Sequence, residues 1–155
     1  MNKTDNQTGS AFLVSRAVII NKLKLLLVRR TPSDRFNPNL WEIPGGKLAK
    51  GEDLHKSLER EVLEETGLII EPISRLAYYT SEIAGPNGPD KYTGETFVKI
   101  VALAKTTTSR VKLSDSHTEF EWVTFSEALD RELTGFTKKA LLVLEKRIKD
   151  YFWRN

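Results

Sequence analysis

Aliphatic side chains dominate two neighbouring runs near the start of the chain. Residues 11–20 (AFLVSRAVII) and 23–30 (LKLLLVRR) are rich in aliphatic and β-branched residues, and Asn21 and Lys22 lie between them. Two apolar runs joined by a pair of polar turn residues are typical of a β-hairpin. We therefore expect two paired strands to open the domain.

Further segments have the apolar character of strands and are separated by loops. The residues LWEI at 40–43 follow a segment with two prolines at 31–39. Residues 68–83 and 96–104 flank the segment 85–94, which contains three glycines and two prolines. Because glycine and proline at this density mark turns and loops, we expect strands at 40–43, 68–83 and 96–104.

The segment TEFEWV at 118–123 alternates between polar and aromatic side chains. Such alternation places Phe120 and Trp122 on one face of a strand and Glu119 and Glu121 on the other. This pattern predicts one more strand late in the chain.

Helix formers dominate from Asp53 to Thr66, and Gly67 stands where a helix C-cap is expected. Ser126 can cap a short helix. After Gly135, apolar residues recur at helical spacing and predict a C-terminal helix that packs on the sheet. These residues are Leu141, Leu144, Ile148 and Phe152. Together the segments predict a mixed α/β domain with helices flanking a sheet.

The length of 155 residues fits one domain with a real core. We expect residues 1–10 to form a flexible N-terminal tail and residues 11–155 to form the domain. Hydrophobic residues make up 39% and charged residues 29%, which is usual for a globular protein and unlike a disordered or membrane chain.

Compartment and partners follow from what the sequence lacks. The polar N-terminus has no apolar signal core, no apolar run reaches membrane-spanning length, and there is no cysteine, so a cytoplasmic location is expected. The net charge is +3, and the lysines and arginines are scattered among acidic residues rather than gathered in a block. This balance suits a small anionic substrate and gives no strong case for nucleic acid or a membrane.

Three glutamates of the predicted 53–66 helix share a face. Glu61, Glu64 and Glu65 fall within an arc of about 100°, at the edge of the apolar stripe. That stripe consists of Leu54, Leu58 and Val62. The cluster can be a solvated surface, or it can hold a cation that offsets the repulsion of its charges. Hard carboxylate oxygens of this kind select Mg²⁺ or Mn²⁺.

The wider pattern from Gly46 to Leu68 favours the second interpretation, because it resembles the Nudix box, G-x5-E-x7-R-E-U-x-E-E-x-G-U with U aliphatic. Every fixed position of the box is present. WEIPGG before the box and EFEWV after it also resemble segments of the Nudix hydrolase family. The resemblance implies an α/β/α sandwich with a mixed β-sheet, in which the box forms a loop, a helix and a loop.

The resemblance also implies a reaction, the Mg²⁺- or Mn²⁺-dependent attack of water on a diphosphate linkage in a nucleoside diphosphate derivative. By motif position, Glu61, Glu64 and Glu65 would be the carboxylate ligands of the metal. Arg60 would hold Glu61 through a charge-assisted hydrogen bond, and Glu52 would pair nearby and brace the loop.

The two glycines before the helix have implied roles as well. Gly45 would offer its carbonyl oxygen to a metal, and Gly46 would permit the sharp turn that precedes the helix. A plain tight turn explains both glycines too, and the two interpretations are compatible.

Outside the box, Glu119 is the best match to the further acid that family members often add, and Glu121 is the reserve. The general base stays open among Glu61, Glu64 and Glu119. His117 is interpreted as a surface residue rather than a base, because nothing in the sequence pairs it with a nucleophile.

Arg29 and Arg30 end a strand just before the loop at 31–39, near where the family binds the nucleotide or its phosphates. They are candidate substrate-binding residues, with Arg30 preferred, and solvated side chains are the alternative. The segment 85–94 can close over substrate or serve as a long hairpin connection.

The box identifies the reaction better than the substrate. The short WEIPGG-containing chain most resembles MutT-type enzymes, which convert nucleoside triphosphates to monophosphates and pyrophosphate. Ile43 stands where the oxidised-guanine branch often has an aromatic residue, so 8-oxo-dGTP is not predicted. Pro86 and Tyr92 lie too far along the chain to match the marker residues of the ADP-ribose and diadenosine polyphosphate branches, although these branches stay open.

Two further alternatives come from other functional classes. A Nudix-fold module that binds a nucleotide without cleaving it would usually lack box glutamates, and this chain has all of them. An RNA-end pyrophosphohydrolase would need a basic groove with stacking aromatic residues, which the scattered charges do not indicate.

Overall fold

The computed structural model of the chain describes residues 9–74, 77–85 and 92–155. Its strands are β1 (Ala11–Asn21), β2 (Lys24–Arg30), β3 (Trp41–Glu42), β4 (Gly45–Lys47), β5 (Glu71–Pro72), β6 (Tyr78–Ile83), β7 (Thr96–Lys105) and β8 (His117–Val123). Its helices are α1 (Leu54–Thr66), α2 (Phe125–Leu129) and α3 (Gly135–Arg154). Most of the predicted tail and the centre of the 85–94 segment lie outside the described residues, so both interpretations of that segment stay predictions.

The described strands form one sheet with a central order of β3, β2, β1, β7 and β5. β4 pairs with β1, β6 pairs with β7, and β8 pairs with β2. β1 and β7 run parallel, in register from the pair Ala11 and Thr96 onwards, whereas the other pairs are antiparallel. The sheet is therefore mixed, as the resemblance implied.

Apolar side chains cover both faces of this sheet. One face packs against α2 and α3, with Val18 of β1 in the same cluster as Leu141 and Leu144. The opposite face packs against α1, where Ile19 joins Leu58 in a second cluster. Because successive residues of a strand point to opposite faces, β1 contributes side chains to both clusters. This arrangement confirms the α/β/α sandwich.

Helix α1 has the predicted ends. The Asp53 carboxylate accepts hydrogen bonds from the amides of His55 and Lys56 at 3.0 and 3.2 Å, which satisfies the first turn. Gly67 adopts a left-handed conformation with φ of 70°, and its amide donates to the Leu63 carbonyl. The opening hairpin is confirmed as well, with its turn between Asn21 and Lys24.

Two predictions about secondary structure are wrong. Residues 68–83 do not form one strand, because the amides of Ile73 and Ser74 both donate to the Leu103 carbonyl and so interrupt the alternating ladder between β5 and β6. Helix α2 is capped by Thr124 instead of Ser126. Thr124 and Glu127 exchange side-chain and backbone hydrogen bonds at 2.7 and 3.2 Å, which is a capping box.

Within the described ranges, no helix combines the length and the apolar character that crossing a membrane requires.

Candidate functional site

The carboxylates of α1 meet the backbone of β4 at two adjacent glycines. A Cβ atom built on Gly46 would lie 2.4 Å from the Glu61 carboxylate, so only glycine leaves room for that side chain. The amide of Gly45 donates to Glu65 Oε2 at 3.0 Å. Glu61 and Glu65 are therefore both held against the same short stretch of backbone.

Gly45 is required for a different reason. Its φ is 148°, and a Cβ atom there would lie 2.1 Å from the Ser15 carbonyl oxygen and 2.6 Å from Arg16 Cα. The close approach of β4 to β1 thus depends on this glycine, and it brings the helix carboxylates next to the side chain of Arg16.

Arg60 joins three glutamates of the box. Its Nε and Nη2 atoms donate to Glu52 at 2.8 and 3.0 Å, and Nη1 donates to Glu61 at 2.9 Å and to Glu64 at 3.4 Å. The carboxylates of Glu52 and Glu61 raise the pKa of Arg60. The hydrogen bond from Arg60, helped by the Ala49 amide, lowers the pKa of Glu52 to about 2. These hydrogen bonds are compatible with the prediction that Arg60 orients Glu61. That role itself stays a prediction.

Glu65 lies deeper than its neighbours. Burial raises the pKa of its carboxyl group, although electrostatic interactions with His117 and Arg16 and the hydrogen bond from Gly45 oppose the shift. A buried carboxylate with a raised pKa gains from a nearby cation, because the cation would restore the ionised form.

The predicted metal ligands do not enclose a metal site in this arrangement. Among the residues that the structure describes, no three acidic, histidine or cysteine side chains lie close enough together to hold a metal ion. Glu64 is 60% exposed and turned toward Arg60. The donor chemistry nevertheless fits a hard divalent cation, since Glu61 and Glu65 bring carboxylate oxygens to the Gly45–Gly46 backbone. The ligand set of Glu61, Glu64, Glu65 and the Gly45 carbonyl stays a prediction.

A second carboxylate, Glu42 of β3, organises the opposite part of the site. It is 3% exposed and binds side chains from three other strands. Arg30 Nη1 lies 2.8 and 3.0 Å from its two oxygens, Arg16 Nη1 lies 3.2 Å away, and His117 Nε2 lies 3.0 Å away. Burial opposes ionisation of Glu42, but these neighbours outweigh it and lower its pKa to about 2. The carboxylate is therefore ionised at neutral pH.

These groups line a cavity of about 650 Å³. Basic side chains line its wall, with Arg16, Arg30, Lys47 and Lys99 contributing positive charge. The other lining residues that bear on the chemistry are Glu42, Gly46, Glu65, Glu82, Phe36, Phe97, His117 and Phe136. The cavity thus combines carboxylates, cations and aromatic rings, which is a suitable lining for a nucleotide with its phosphates.

The two candidate substrate-binding arginines point to different places. Arg30 lines the cavity and donates to Glu42 and Asp34. Arg29 donates to Glu119 Oε2 at 2.7 Å and to the Asn39 carbonyl at 2.9 Å. Neither Arg29 nor Glu119 is among the described residues that line the cavity. Their predicted roles in substrate binding and catalysis stay predictions.

The interpretation of His117 as a surface residue is wrong. Its side chain is 2% exposed, because β8 pairs with β2 and brings the ring against the Glu42 carboxylate. The reserve acid, Glu121, forms an ion pair with Arg131 at 2.7 Å. A histidine beside alternating strand residues carries no sign of such burial in the sequence alone.

Sequence reasoning missed Arg16 and Glu42. One signal was available, since Arg16 and Arg30 interrupt otherwise apolar strands, and a charged residue on a buried strand needs a partner of opposite charge. Glu42 lies between Trp41 and Ile43, which are also buried. The local pattern therefore gave no alternation that would single out this carboxylate.

Comparison with known proteins adds independent information. Residues 12–144 match the NUDIX domain family. Over 135 residues the chain is 31% identical to an ADP-ribose pyrophosphatase of Methanocaldococcus jannaschii, and the match covers 85% of this chain and 68% of that protein. Over 60 residues it is 37% identical to an 8-oxo-dGTP diphosphatase of Buchnera aphidicola, which covers 39% of this chain and 45% of that protein.

A solved structure is similar over nearly the whole length. The MutT protein from Methanosarcina mazei Go1 superposes with a TM-score of 0.73 at 26% identity, covering 94% of this chain and 98% of that one. By contrast, the chain spans less than half of the length of most of the curated relatives that it matches.

Proposed function

The chain belongs to the NUDIX family, and on this premise we propose that it hydrolyses a diphosphate linkage in a nucleoside diphosphate derivative. The preferred substrate is a nucleoside triphosphate, which would yield a monophosphate and pyrophosphate. Mg²⁺ or Mn²⁺ is the proposed cofactor.

One observation carries this proposal. The carboxylates of Glu61 and Glu65 lie against the Gly45–Gly46 backbone, and Gly46 and Glu65 line a cavity whose wall also carries basic side chains. Carboxylates alone would repel a diphosphate, and basic side chains alone would bind it without hydrolysis. Both kinds of group at one cavity are what cation-assisted attack on a phosphorus atom needs.

The proposed roles follow from the contacts. Glu61 and Glu65, with Glu64 after it leaves Arg60, would hold the divalent cation, which supplies positive charge that offsets the charge on the phosphate oxygens. Arg60 fixes the Glu61 carboxylate through a hydrogen bond to Oε1, and Glu52 fixes Arg60 in turn. The general base is proposed to be one of Glu61, Glu64 and Glu119.

The charges of the cavity support the substrate ranking. Arg16, Arg30, Lys47 and Lys99 line one cavity, and a triphosphate presents more anionic oxygens to such a wall than the diphosphate bridge of ADP-ribose does. ADP-ribose is the second candidate, because the relative from Methanocaldococcus jannaschii that matches 85% of this chain is named an ADP-ribose pyrophosphatase.

A substrate panel tests the proposal. Nucleoside triphosphates including 8-oxo-dGTP, nucleotide sugars, ADP-ribose and dinucleoside polyphosphates would be incubated with Mg²⁺ at slightly alkaline pH, with products identified by chromatography. We expect at least one compound to be cleaved in a metal-dependent reaction. Complete inactivity of the folded protein would instead favour a nucleotide-binding module. A tenfold or greater preference for ADP-ribose in kcat/KM would reverse the ranking.

A further inference from the structure

Arg16 is anchored in an unusual way at the cavity wall. Its Nη1 atom donates to the Ile43 carbonyl at 2.9 Å and lies 3.2 Å from Glu42 Oε2. A guanidinium group has five N–H donors, and Nη1 carries two of them. The Nε and Nη2 atoms make no hydrogen bond with the residues that the structure describes, although the side chain is only 15% exposed. Three donors are therefore left to a ligand, and two of them lie parallel on the edge that Nε and Nη2 form.

Arg30, its neighbour in the Glu42 cluster, differs on this point. Both of its Nη atoms donate to carboxylates, of Glu42 and Asp34. Its Nε atom is buried without a partner in the described part of the chain. No nitrogen of Arg16 is fully buried without a hydrogen-bond partner in this way. Of the two guanidinium groups, only that of Arg16 has a two-nitrogen edge that a ligand can reach.

Arg16, whose Nε and Nη2 atoms have no hydrogen-bond partner among the described residues, lies beside the carboxylates of α1 at which the reaction is proposed to occur. Arg16 is the β-sheet partner of Gly45, whose amide binds Glu65. A Cβ atom on Gly45 would approach Arg16 Cγ to 2.9 Å, so the arginine stem crosses this glycine directly. A group bound to Arg16 would therefore adjoin the carboxylates of α1.

We propose that Arg16 binds a phosphate oxygen of the substrate through its Nε and Nη2 edge, and that Glu42 is the positioning residue that presents this edge. The parallel N–H groups of a guanidinium edge match two oxygens of a phosphate. The inference rests on the proposed function for the identity of the ligand, a nucleotide phosphate chain. It assigns substrate contact to a residue that no sequence motif singled out.

Glu42 acts on the substrate only through Arg16 in this proposal. Its buried carboxylate, together with the Ile43 carbonyl, occupies Nη1 and so turns the opposite edge of the guanidinium toward the cavity. An arginine without these anchors would keep its charge but would lose rotamer freedom on binding. We therefore expect loss of Glu42 to weaken substrate binding more than turnover.

The test compares Arg16→Lys, Glu42→Gln and their double variant with the wild type. Lysine keeps the charge and can still reach Glu42, but it lacks the two-nitrogen edge. Arg131→Lys is the matched control, because Arg131 pairs with Glu121 and does not line the cavity. The readouts are kcat and KM for the best substrate and, by calorimetry in the presence of Mg²⁺, the Kd of inorganic pyrophosphate. Thermal melts confirm that each variant is folded.

For Arg16→Lys, we expect kcat/KM to fall by about ten- to a hundredfold and the Kd of pyrophosphate to rise by a similar factor, as for a lost charge-assisted hydrogen bond. The control should stay within about twofold of the wild type. Glu42→Gln should raise KM with a smaller change in kcat. The double variant should be no worse than Arg16→Lys alone, because both changes act on one contact.

Two results would overturn the inference. Unchanged KM and pyrophosphate affinity in Arg16→Lys would show that its edge binds no phosphate. Losses that multiply in the double variant would show that Glu42 acts independently of Arg16. The calorimetric measurement requires no turnover, so a wild type that binds pyrophosphate in an Arg16-dependent way but cleaves nothing would contradict the proposed function and leave the phosphate contact supported. A wild type that binds no pyrophosphate would contradict the inference.

Discussion

The carboxylate of Glu61 occupies the space in which any residue other than glycine at position 46 would place its Cβ atom, 2.4 Å from the nearest carboxylate atoms. The three atoms nearest to that Cβ all belong to the end of the flexible Glu61 side chain. A methyl group at position 46 would therefore displace Glu61 and leave the backbone where it is.

We accordingly expect Gly46→Ala to separate activity from stability. Turnover should fall on the order of a hundredfold, because a displacement of about 1 Å in a catalytic group can have an effect of that size. The melting temperature of the metal-free protein should change little. Steady-state kinetics and thermal melts of the same preparation measure both quantities.

Gly45→Ala is the matched control, and it should behave in the opposite way. Its Cβ atom would meet the backbone of Ser15 and Arg16 at 2.1 and 2.6 Å, at a φ of 148°. A backbone conflict cannot relax by side-chain rotation, so we expect the free energy of unfolding to fall by about 3 kcal/mol. Equal stability of the two variants would contradict this account of the β1–β4 contact.

Arg60→Ala should reduce kcat by about tenfold or more, because Glu61 would lose the guanidinium that donates a hydrogen bond to its carboxylate. Lys56→Ala on the same helix is the control, since it removes an exposed positive charge that makes no ion pair with the described residues. Steady-state assays on both variants decide the point. If Arg60→Ala keeps most of the wild-type turnover, the residue is only a surface charge.

Glu65→Gln should abolish most activity without destabilising the metal-free protein. Burial raises the pKa of Glu65 above its ordinary value of 4.5. The ionised carboxylate therefore reduces stability once pH rises above 4.5, and the reduction is complete above the folded-state pKa. Glutamine removes this penalty and can still accept the hydrogen bond from Gly45. At pH 7 the metal-free variant should unfold at the same temperature as the wild type or higher.

The response of Glu65→Gln to Mg²⁺ completes that test. A ligand at a hundred times its Kd stabilises the folded state by about 2.7 kcal/mol, so Mg²⁺ should raise the melting temperature of the wild type and that of the variant much less. A metal-free variant that is clearly less stable than wild type, with an unchanged response to Mg²⁺, would mean that the three glutamates are only a solvated face.

Glu42 should make the free energy of unfolding depend on pH in the acidic range. Burial alone would raise its pKa, but Arg16, His117 and Arg30 lower it from 4.5 to about 2. A carboxylate with a lowered folded-state pKa contributes stability that is complete above 4.5 and is lost as pH falls toward 2. The contribution is roughly 3 kcal/mol.

Denaturant titrations between pH 7 and pH 2.5 measure this dependence. The difference in unfolding free energy between wild type and Glu42→Gln should shrink as the pH falls through this range. Glu82→Gln serves as the control, since Glu82 lines the same cavity but is 42% exposed and pairs only with Lys99 among the described residues. A difference that does not depend on pH would show that Glu42 is not ionised in the folded protein.

Local signals in the sequence predicted the elements whose ends depend on neighbouring residues. Helix α1 begins after Asp53 and ends at Gly67 because a carboxylate and a left-handed glycine satisfy the terminal backbone groups. The apolar runs on either side of Asn21 and Lys22 likewise predicted the hairpin. The split between β5 and β6 could not be predicted in this way, since it arises from a carbonyl of Leu103 on a distant strand.

The residues of the candidate site likewise fall into those that local sequence spacing predicts and those that only the fold brings together. The box residues Glu61, Glu65 and Arg60 could be found because their spacing is fixed within one helix. Glu42 and His117 meet across strands 75 positions apart in the chain, so no local pattern places them together. Sheet register, which the sequence left open, determines that half of the cavity.

The parallel pairing of β1 with β7 also has a consequence for the order of folding. It joins Ala11 to Thr96 and continues for ten residue pairs, so the chain must close a very long loop before any of these hydrogen bonds can form. Such closure costs entropy early and slows folding. Helix α1 can form from local contacts, whereas the part of the cavity lined by Arg16 of β1 and Lys99 of β7 requires the closed pair of strands. We therefore expect a folding chain to acquire its acidic helix before it can bind a nucleotide.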